Sequence, residues 1–308
     1  MTRLGHRDPV PEHLRGAIVA LGNFDGFHLG HQRVVTEAVE WAGAEGRPAI
    51  VATFDPHPVR HFAPHVPPFR LTTLDQREEL FTAAGANAML VFEFDDELAA
   101  TTAEAFVGEL LAGGLGVAGV VTGEDCTFGQ GRTGNVGLLV AEGARHGIVA
   151  RPVGPVTESG LPVSSSRIRD ALKAGDCETA TRLMTRPFAI RGTVQHGDKR
   201  GRTIGYPTAN IDMGPYLRPR YGIYAVTGRV TGSGVVLKGA ANLGVRPMFD
   251  PPQELLEPYF FDFEGDLYGQ AIEVALHHFL RPEAKFDSVE ALTAQMAEDC
   301  ARARELLG

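Results

Sequence analysis

In the first half of the chain, short apolar runs alternate with stretches of helical periodicity, and this alternation constrains the fold more than any other feature. The helical stretches follow His31 and cover Leu74–Ala84, Ala103–Leu111 and Leu138–His146. The runs predict strands that are buried on both faces, at Ala17–Leu21, Ile50–Phe54, Ala88–Phe92, Val117–Thr122 and Ile148–Val153. Strands that alternate with helices predict an α/β domain built on a doubly wound, mostly parallel sheet.

After about residue 186 the chain carries strand patterns separated by Gly, Pro and Asp turns, without helices of comparable strength. These segments are Ile190–Gln195, Ile223–Arg229, Val235–Leu243, Leu255–Phe263 and Ala271–Phe279. They predict a small antiparallel β-barrel, followed by a terminal helix with Asp287 as its N-cap. The helical patterns at 165–174 and 178–184 still belong to the first pattern, so we place the domain boundary at Arg186–Pro187, which gives domains 1–186 and 187–308.

Composition excludes several classes of protein. The 308 residues carry a net charge of −9, which argues against a broad surface for nucleic acid or for anionic membranes. We find no signal-like leader and no apolar run long enough to span a membrane. The three cysteines, Cys126, Cys177 and Cys300, have neither disulfide nor metal spacing. We therefore expect a cytoplasmic enzyme or binding protein with no nucleic-acid or membrane partner, as a monomer or weak homo-oligomer.

The segment Gly22–His31, Gly-Asn-Phe-Asp-Gly-Phe-His-Leu-Gly-His, lies between the first predicted strand and the first helix. Its glycines allow the backbone to approach a phosphate, and the helix N-terminus adds N–H groups and a positive dipole end. His28 and His31 can then donate hydrogen bonds to charge that develops on phosphorus. The alternatives are that the two histidines bind zinc, or that they only shape the turn.

A second anion site is predicted where Val163–Arg169 opens a helix with three serines and two arginines. The alternative is an ordinary serine N-cap with solvent-exposed arginines. The run Gly129–Gly134 matches the G-x-G-x-x-G dinucleotide pattern, but it is separated from the preceding strand and no acidic residue ends the next one. We reject it as a nicotinamide site. No Walker A motif occurs, so any kinase activity needs another phosphate cradle.

In the second half, Gly192–Asn210 describes a strand that enters a Gly- and Lys/Arg-rich flap and returns through Pro-Thr-Ala-Asn. Thr208 and Asn210 lie two residues apart on an extended segment, so both oxygens face one side and suit Mg²⁺. Glu257, in a mostly apolar strand, is a candidate general base for a substrate hydroxyl. The alternatives are a polar hairpin and a strand-edge glutamate beside a proline.

The N-terminal motifs together resemble the nucleotidyltransferase half of bacterial bifunctional riboflavin kinase/FAD synthetases. The motifs are Gly22–His31, Thr53–Pro58, Leu71–Thr73, Gly123–Gly129 and Ser164–Arg169. The resemblance implies that ATP binds His28 and His31 together with Gly22, Asn23, Phe24, Gly30, Ser164, Ser166, Arg167 and Arg169. It places Asp55 and Asp125 near the flavin. Cys126 stands where the family usually has Phe, and Ser166 where it usually has Thr.

The C-terminal motifs resemble the riboflavin kinase module, which implies a six-stranded barrel with a terminal helix. They include Gly192–Asn210, Asn242–Pro247, Asp262–Gly269 and Leu280–Phe286. The resemblance makes Glu257 the base on the riboflavin 5′-hydroxyl and assigns Mg²⁺ to Thr208 and Asn210. The residues expected around ATP or the flavin are Gly197, Lys199, Gly201, Gly205, Asn242 and Arg281. Met248 and Tyr259 stand where the family commonly has Thr and His.

The expected function is therefore two phosphorus transfers from ATP, with Mg²⁺. Riboflavin becomes FMN in the C-terminal domain, and FMN becomes FAD with release of pyrophosphate in the N-terminal domain. One rival is another H-x-G-H nucleotidyltransferase, such as one acting on phosphopantetheine, which would lack the Pro-Thr-Ala-Asn barrel. A non-enzymatic rival is a flavin-binding carrier or regulator that has kept the scaffold.

Overall fold

A computed structural model describes residues 1–196, 205–246 and 253–308. They form two compact units, one of Met1–Val66 with Thr72–Ser164 and the other of Pro67–Leu71 with Ser165–Gly308. The boundary expected at Arg186–Pro187 separates two functional domains rather than two compact units. It stays a prediction. Within the described ranges, no helix has both the length and the apolar character needed to cross a lipid bilayer.

The first unit is built on a parallel sheet of six strands. In chain order these are β1 Thr2–Gly5, β2 Ile18–Leu21, β3 Ala49–Asp55, β4 Ala88–Glu93, β5 Gly119–Gly123 and β8 Val149–Val153. Their order across the sheet is β1-β4-β3-β2-β5-β8. Two short hairpins lie outside it, β6 Thr127–Phe128 with β7 Gly134–Asn135, and β9 Thr157–Glu158 with β10 Leu161–Pro162.

Helices cover both faces of this sheet, as the alternating sequence pattern predicts. They are α1 Leu29–Ala44, α2 Pro58–Phe62, α3 Leu74–Ala83, α4 Asp96–Ala100, α5 Ala103–Ala105, a π-helix Phe106–Gly114 and α6 Val136–Arg145. Alternate residues of β2 enter different core clusters, Val19 and Leu21 on the face of the π-helix and α6, Ile18 and Ala20 on the face of α1 and α3. The doubly wound α/β prediction is confirmed.

Two local predictions for this unit need correction, and one strand was not predicted. The strand predicted at Ile148–Val153 is not buried on both faces, because β8 is an edge strand and Val149 is 55% exposed. The helix predicted over Ala103–Leu111 becomes a π-helix after its first turn. Strand β1 is not predicted, since Thr2–Gly5 has no apolar run, and it forms by parallel pairing with β4.

The second unit is a nearly closed antiparallel barrel. Its described strands are β11 Phe188–Thr193, β12 Ile211–Asp212, β13 Gly222–Val230, β14 Val236–Arg246, β15 Gln253–Phe260 and β16 Ala271–Arg281. They run β11-β16-β13-β14-β15-β12 across the sheet, and a bridge between Gln195 and Asn210 brings the two ends together. The prediction of a small antiparallel barrel with a terminal helix is confirmed.

Helices α7 Ser165–Ala174, α8 Cys177–Met184 and α9 Val289–Leu307 complete this unit. The N-cap of α9 is Ser288, whose Oγ accepts a hydrogen bond from Ala291 N at 3.1 Å, so the prediction of Asp287 is wrong by one residue. Helix α9 is tied to the barrel by an ion pair, because Arg281 Nη2 lies 2.7 Å from the carboxylate of Asp299, which is only 7% exposed.

Candidate active sites

In the first unit, the predicted site residues lie where the central strands end. Gly22–His31 follows β2, Asp55 ends β3, and Asp125 comes two residues after β5. These strands are neighbours, in the order β3-β2-β5, and the chain reverses its direction of travel across the sheet between β2 and β5. Ligands of open α/β sheets bind in the crevice at such a switch point. The fold therefore gathers these candidates at the edge where a nucleotide is expected.

His28 and His31 form a stacked pair at the start of α1. Their ring centroids are 3.6 Å apart and the planes are inclined by 19°. His28 is the N-cap of α1, since its Nδ1 accepts a hydrogen bond from His31 N at 3.3 Å. Because Nδ1 acts as the acceptor, the neutral His28 ring carries its proton on Nε2. This tautomer is the one that can donate a hydrogen bond from Nε2 to a phosphate oxygen.

The loop before α1 has a strained backbone that buried aromatic rings hold in place. Phe24 and Phe27 have φ values of 50° and 38°, in a region that costs non-glycine residues about 1–3 kcal/mol. Both side chains are almost fully buried, and both pack edge-on against Phe81. Burying a phenylalanine contributes about 2 kcal/mol or more, which offsets the strain. Gly30 leaves room beside the His28 ring, because a Cβ there would lie in tight contact with it, at 3.2 Å.

Asp25 and Thr72 fix the same loop from the other side. The buried Asp25 carboxylate accepts hydrogen bonds from Thr72 N at 3.0 Å and from Thr72 Oγ1 at 3.3 Å. Thr72 Oγ1 in turn accepts a bond from Gly26 N at 3.0 Å. We call Asp25, Gly26 and Thr72 the loop latch. Site prediction from sequence did not single out these residues, although they lie within motifs it quotes.

A buried arginine supports the start of the loop. Arg77, only 3% exposed, donates from Nη1 to Asn23 O at 3.0 Å and to Thr53 Oγ1 at 2.7 Å, and Thr53 Oγ1 donates to the same carbonyl at 2.9 Å. Gly22 N is held by Ala52 O at 3.1 Å. These bonds hold the backbone of Asn23 in place. They do not test whether Asn23 binds ATP, so that role stays a prediction.

The two aspartates predicted near the flavin occupy different settings. Asp55 is partly buried at the end of β3, whereas Asp125 is exposed and its carboxylate lies against Gly123, where a Cβ would approach Oδ1 to 2.8 Å. Cys126, beside Asp125, packs partly buried against the core, and burial raises the pKa of its thiol. It therefore acts as a small apolar side chain. The flavin-binding roles of Asp55 and Asp125 stay predictions.

The serines and arginines predicted to bind a triphosphate divide between the two units. Ser164 ends the first unit, whereas Ser166, Arg167 and Arg169 lie on α7 of the second. Within the second unit, Arg169 Nε donates to Phe69 O at 2.9 Å and its guanidinium lies 5.2 Å from the Phe69 ring centroid. Their anion-binding role stays a prediction.

Two other interpretations of the first half concern a dinucleotide site and a metal site. The G-x-G-x-x-G run lies in the turn between β6 and β7 and not between a strand and a helix, so its rejection agrees with the structure. In the described part of the chain, no three or more His, Cys, Asp or Glu side chains form a group that could hold a metal ion.

In the second unit, the predicted kinase residues lie in one row across the barrel. Asn242 on β14 is directly opposite Glu257 on β15. Ile211 pairs with Leu256, and the bond from Ala209 N to Pro258 O continues this register, so Asn210 lies opposite Glu257 on its other side. Residues opposite each other in an antiparallel pair share a face. Glu257 is thus flanked by two amide side chains, a grouping that sequence distance alone does not reveal.

Acceptor oxygens of this row are buried without a hydrogen-bond donor. Asn210 is 9% exposed and the Glu257 side chain 15%. The buried Asn242 Oδ1 and Glu257 Oε2 accept no hydrogen bond from any described residue. A buried acceptor left without a donor costs about 1–3 kcal/mol. Such an atom is stabilised by a ligand that brings a donor, such as a hydroxyl group.

The remaining predicted kinase residues are less completely placed. Thr208 is half-buried and Gly205 exposed, with a φ of 85°. Four residues lie outside the described ranges: Gly197, Lys199, Gly201 and Met248, the last of which differs from the residue common in the family. Arg281 continues the row beyond Asn242 and Ile223, but its guanidinium binds Asp299 and Pro282 O. Tyr259 packs edge-on against Tyr206 and Phe261.

Known families match both halves of the chain in this order. A family model described as FAD synthetase matches residues 10–167, and one described as riboflavin kinase matches residues 184–307. The first model covers the strands of the parallel sheet from β2 onward, and the second covers the barrel.

Full-length relatives carry the same pair of activities in their names. A bifunctional riboflavin kinase/FMN adenylyltransferase of Escherichia coli K12 is 38% identical over 95% of this chain and 93% of its own length. One from Listeria monocytogenes is 39% identical, over 92% of this chain and 90% of its own. A crystal structure described as a macrolide-efflux protein from Streptococcus pneumoniae matches 99% of both chains, with a TM-score of 0.87 and 29% identity.

Proposed function

Because the chain belongs to the bifunctional riboflavin kinase/FMN adenylyltransferase family, we propose that it phosphorylates riboflavin and adenylylates FMN, each with ATP. The barrel unit performs the first reaction, and the domain of the parallel sheet performs the second. Riboflavin, FMN and ATP are then the substrates, and FAD, ADP and pyrophosphate leave. We propose 1–186 and 187–308 as the two functional domains.

The observation that carries the kinase assignment is the row formed by Asn210, Glu257 and Asn242. Glu257 removes the proton from the primary hydroxyl of riboflavin, whose oxygen attacks the γ-phosphorus of ATP while the bond to the β–γ bridging oxygen breaks. The products are FMN and ADP, and the proton stays on Glu257 until it passes to water. Asn242 Oδ1 accepts a hydrogen bond from a second hydroxyl, which satisfies its buried oxygen.

Thr208 and Asn210 supply a hydroxyl and an amide oxygen two residues apart, which are hard oxygen ligands of the type that Mg²⁺ takes. We propose that they hold Mg²⁺, which would neutralise charge on the ATP phosphates. Asn210 is one strand away from Glu257, so the same segment orients ATP beside the hydroxyl that Glu257 deprotonates.

In the adenylyltransferase reaction, the FMN phosphate attacks the α-phosphorus of ATP and pyrophosphate leaves. A phosphate monoester is already ionised near neutral pH, so this unit needs positioning and charge stabilisation more than a strong base. His28 and His31 donate hydrogen bonds to the phosphate oxygens, and Gly22 and Gly30 let the backbone come close. Ser164, Ser166, Arg167 and Arg169 are proposed to bind the triphosphate, and Asp55 and Asp125 to orient the flavin.

A direct assay tests this function against its rivals. The full chain is incubated with riboflavin, ATP and Mg²⁺, and flavins are separated by chromatography. We expect FMN and FAD, with FAD formed from FMN alone and neither formed without Mg²⁺. Conversion of phosphopantetheine without conversion of FMN would establish the rival nucleotidyltransferase. Flavin binding without any product would establish a carrier or regulator.

The loop latch gives a prediction for the adenylyltransferase half. Thr72→Val removes the hydroxyl that holds Gly26 N and leaves that buried N–H without its partner, at a cost of about 1–3 kcal/mol in the free energy of unfolding. We expect FAD formation from FMN to fall about 10-fold because the histidines lose their fixed position. FMN formation from riboflavin should not change.

The matched control is Thr82→Val, which removes an exposed hydroxyl bonded to Glu78 O one helix turn away. Steady-state rates and thermal unfolding of both variants separate the two effects. Equal losses of FAD formation in both variants would show that the latch does not position the site.

We also propose that the protein acts in the cytoplasm, as a monomer or a weak homo-oligomer without nucleic-acid or membrane partners. Size-exclusion chromatography with light scattering over a range of concentrations tests the oligomeric state.

A further inference from the structure

Arg246 reaches back along β14 to the predicted base. Asn242, Gly244 and Arg246 are alternate residues of this strand, so they share the face that Glu257 occupies on β15. Arg246 Nη2 makes a close ionic contact with Glu257 Oε2, without the geometry of a hydrogen bond. Gly244, which lies between Asn242 and Arg246 on this face, has no side chain. No motif analysis of the sequence singles out Arg246.

A second carboxylate lies against the same glycine. A Cβ at position 244 would overlap the carboxylate of Glu283, which follows β16. Burial lowers the pKa of Arg246, while the negative charge of Glu283 acts in the opposite direction. The guanidinium is therefore partly desolvated and has two carboxylates as neighbours. An arginine in that setting is held in place more firmly than one on the surface.

We propose that Arg246 is a positioning residue for riboflavin phosphorylation, which holds Oε2 of Glu257 so that Oε1 faces the substrate hydroxyl. The proposal rests on the proposed kinase function. A carboxylate has two equivalent oxygens, and without a fixed partner it can rotate both away from the hydroxyl. An ionic contact at one oxygen fixes the direction of the other, as supporting side chains do in other active sites.

The charges remain balanced during the reaction. The hydroxyl proton moves to Oε1, the new oxygen–phosphorus bond forms, and the bond to the leaving ADP oxygen breaks. Glu257 is then neutral, and the Arg246 guanidinium loses the charge of its first partner. Glu283 takes no part in this proton transfer and remains the second neighbour of the guanidinium.

Arg246→Met, which keeps the length of the side chain but removes its charge, tests this role. We expect kcat for FMN formation to fall about 10-fold or more, while KM for ATP and for riboflavin changes by less than about twofold. Arg246→Lys should recover part of the loss. FAD formation from FMN should be unchanged, and the thermal unfolding of the variant reports whether the barrel itself is folded.

Arg218→Met is the matched control. Arg218 Nε binds Glu254 Oε2 at 2.6 Å, an ion pair that also involves a glutamate of β15. Glu254 is three residues from Glu257 and thus faces the other side of the strand. Arg218→Met should leave kcat for FMN formation unchanged. An equal fall of kcat in both variants would mean that Arg246 serves only the stability of the barrel.

A double-mutant cycle with Glu257→Gln decides whether Arg246 acts through the base. If it does, Arg246→Met has almost no further effect once Glu257 is replaced, because nothing remains to orient. Additive losses, or a rise in KM for ATP with kcat preserved, would overturn the proposal and assign Arg246 to the nucleotide. Failure of the wild-type chain to form FMN would instead count against the proposed function itself.

Discussion

Replacing Glu257 by Gln is expected to lower the rate of FMN formation about 100- to 10,000-fold, the range that a general base contributes. Gln has nearly the same shape and cannot accept the proton, so the row with Asn210 and Asn242 should persist. The measurement is the rate of FMN formation from riboflavin and Mg²⁺-ATP at saturating concentrations. FAD formation from added FMN should equal that of the wild type, because none of the residues proposed for that reaction lies in the barrel strands.

Glu254→Gln provides the matched control, since it removes a carboxylate from the same strand on the opposite face. It breaks the contact with Arg218 and should affect stability rather than phosphoryl transfer. If Glu257→Gln and Glu254→Gln slow FMN formation equally, Glu257 is not the base. Retention of the full rate in Glu257→Gln would lead to the same conclusion.

Replacing His28 by Asn is expected to lower the rate of FAD formation about 100- to 1,000-fold, as loss of a donor to developing charge does elsewhere. Asn is a good N-cap, so it can replace the bond that His28 Nδ1 accepts from His31 N and preserve the start of α1. What is lost is the ring, its stacking on His31 and the Nε2 donor. FMN formation should continue at the wild-type rate.

His146→Asn is the control, because His146 lies at the C-terminal end of α6, at the opposite edge of the sheet from the strand ends that hold the site. It should leave FAD formation intact. Loss of both FMN and FAD formation in a folded His28→Asn protein would contradict the assignment of separate sites. FMN that accumulates without conversion to FAD is the expected outcome.

The core strands were predictable from sequence because they are apolar at nearly every position. Ile18–Leu21 sends alternate side chains to opposite faces of the sheet, and helices cover both faces. Every position is therefore apolar, and the sequence shows this as an unbroken apolar run. The same rule fails for β8, since an apolar run does not tell whether a second neighbouring strand covers it. That His28 and His31 lie at the start of α1 was also predictable, because glycines and a helix start are local features.

Features that depend on pairing over a long distance were not predictable in the same way. Thr72 meets Asp25 across 47 positions, and nothing local in either segment requires that contact. Similarly, Glu257 and Asn242 are brought together by the register of β14 and β15. The contact between Arg246 and Glu257 depends on the same register, so the sequence does not show it either.

The pairing of β11 with β16 joins the beginning of the barrel to its last strand. Chains leave the ribosome N-terminus first, and domains generally fold as units in that order. All strands of the parallel sheet are synthesised by residue 153, long before Ala271–Arg281 emerges. The nucleotidyl-transferring half can thus form its sheet during translation. The barrel of the kinase half can close only after β16, near the end of the chain, has been synthesised.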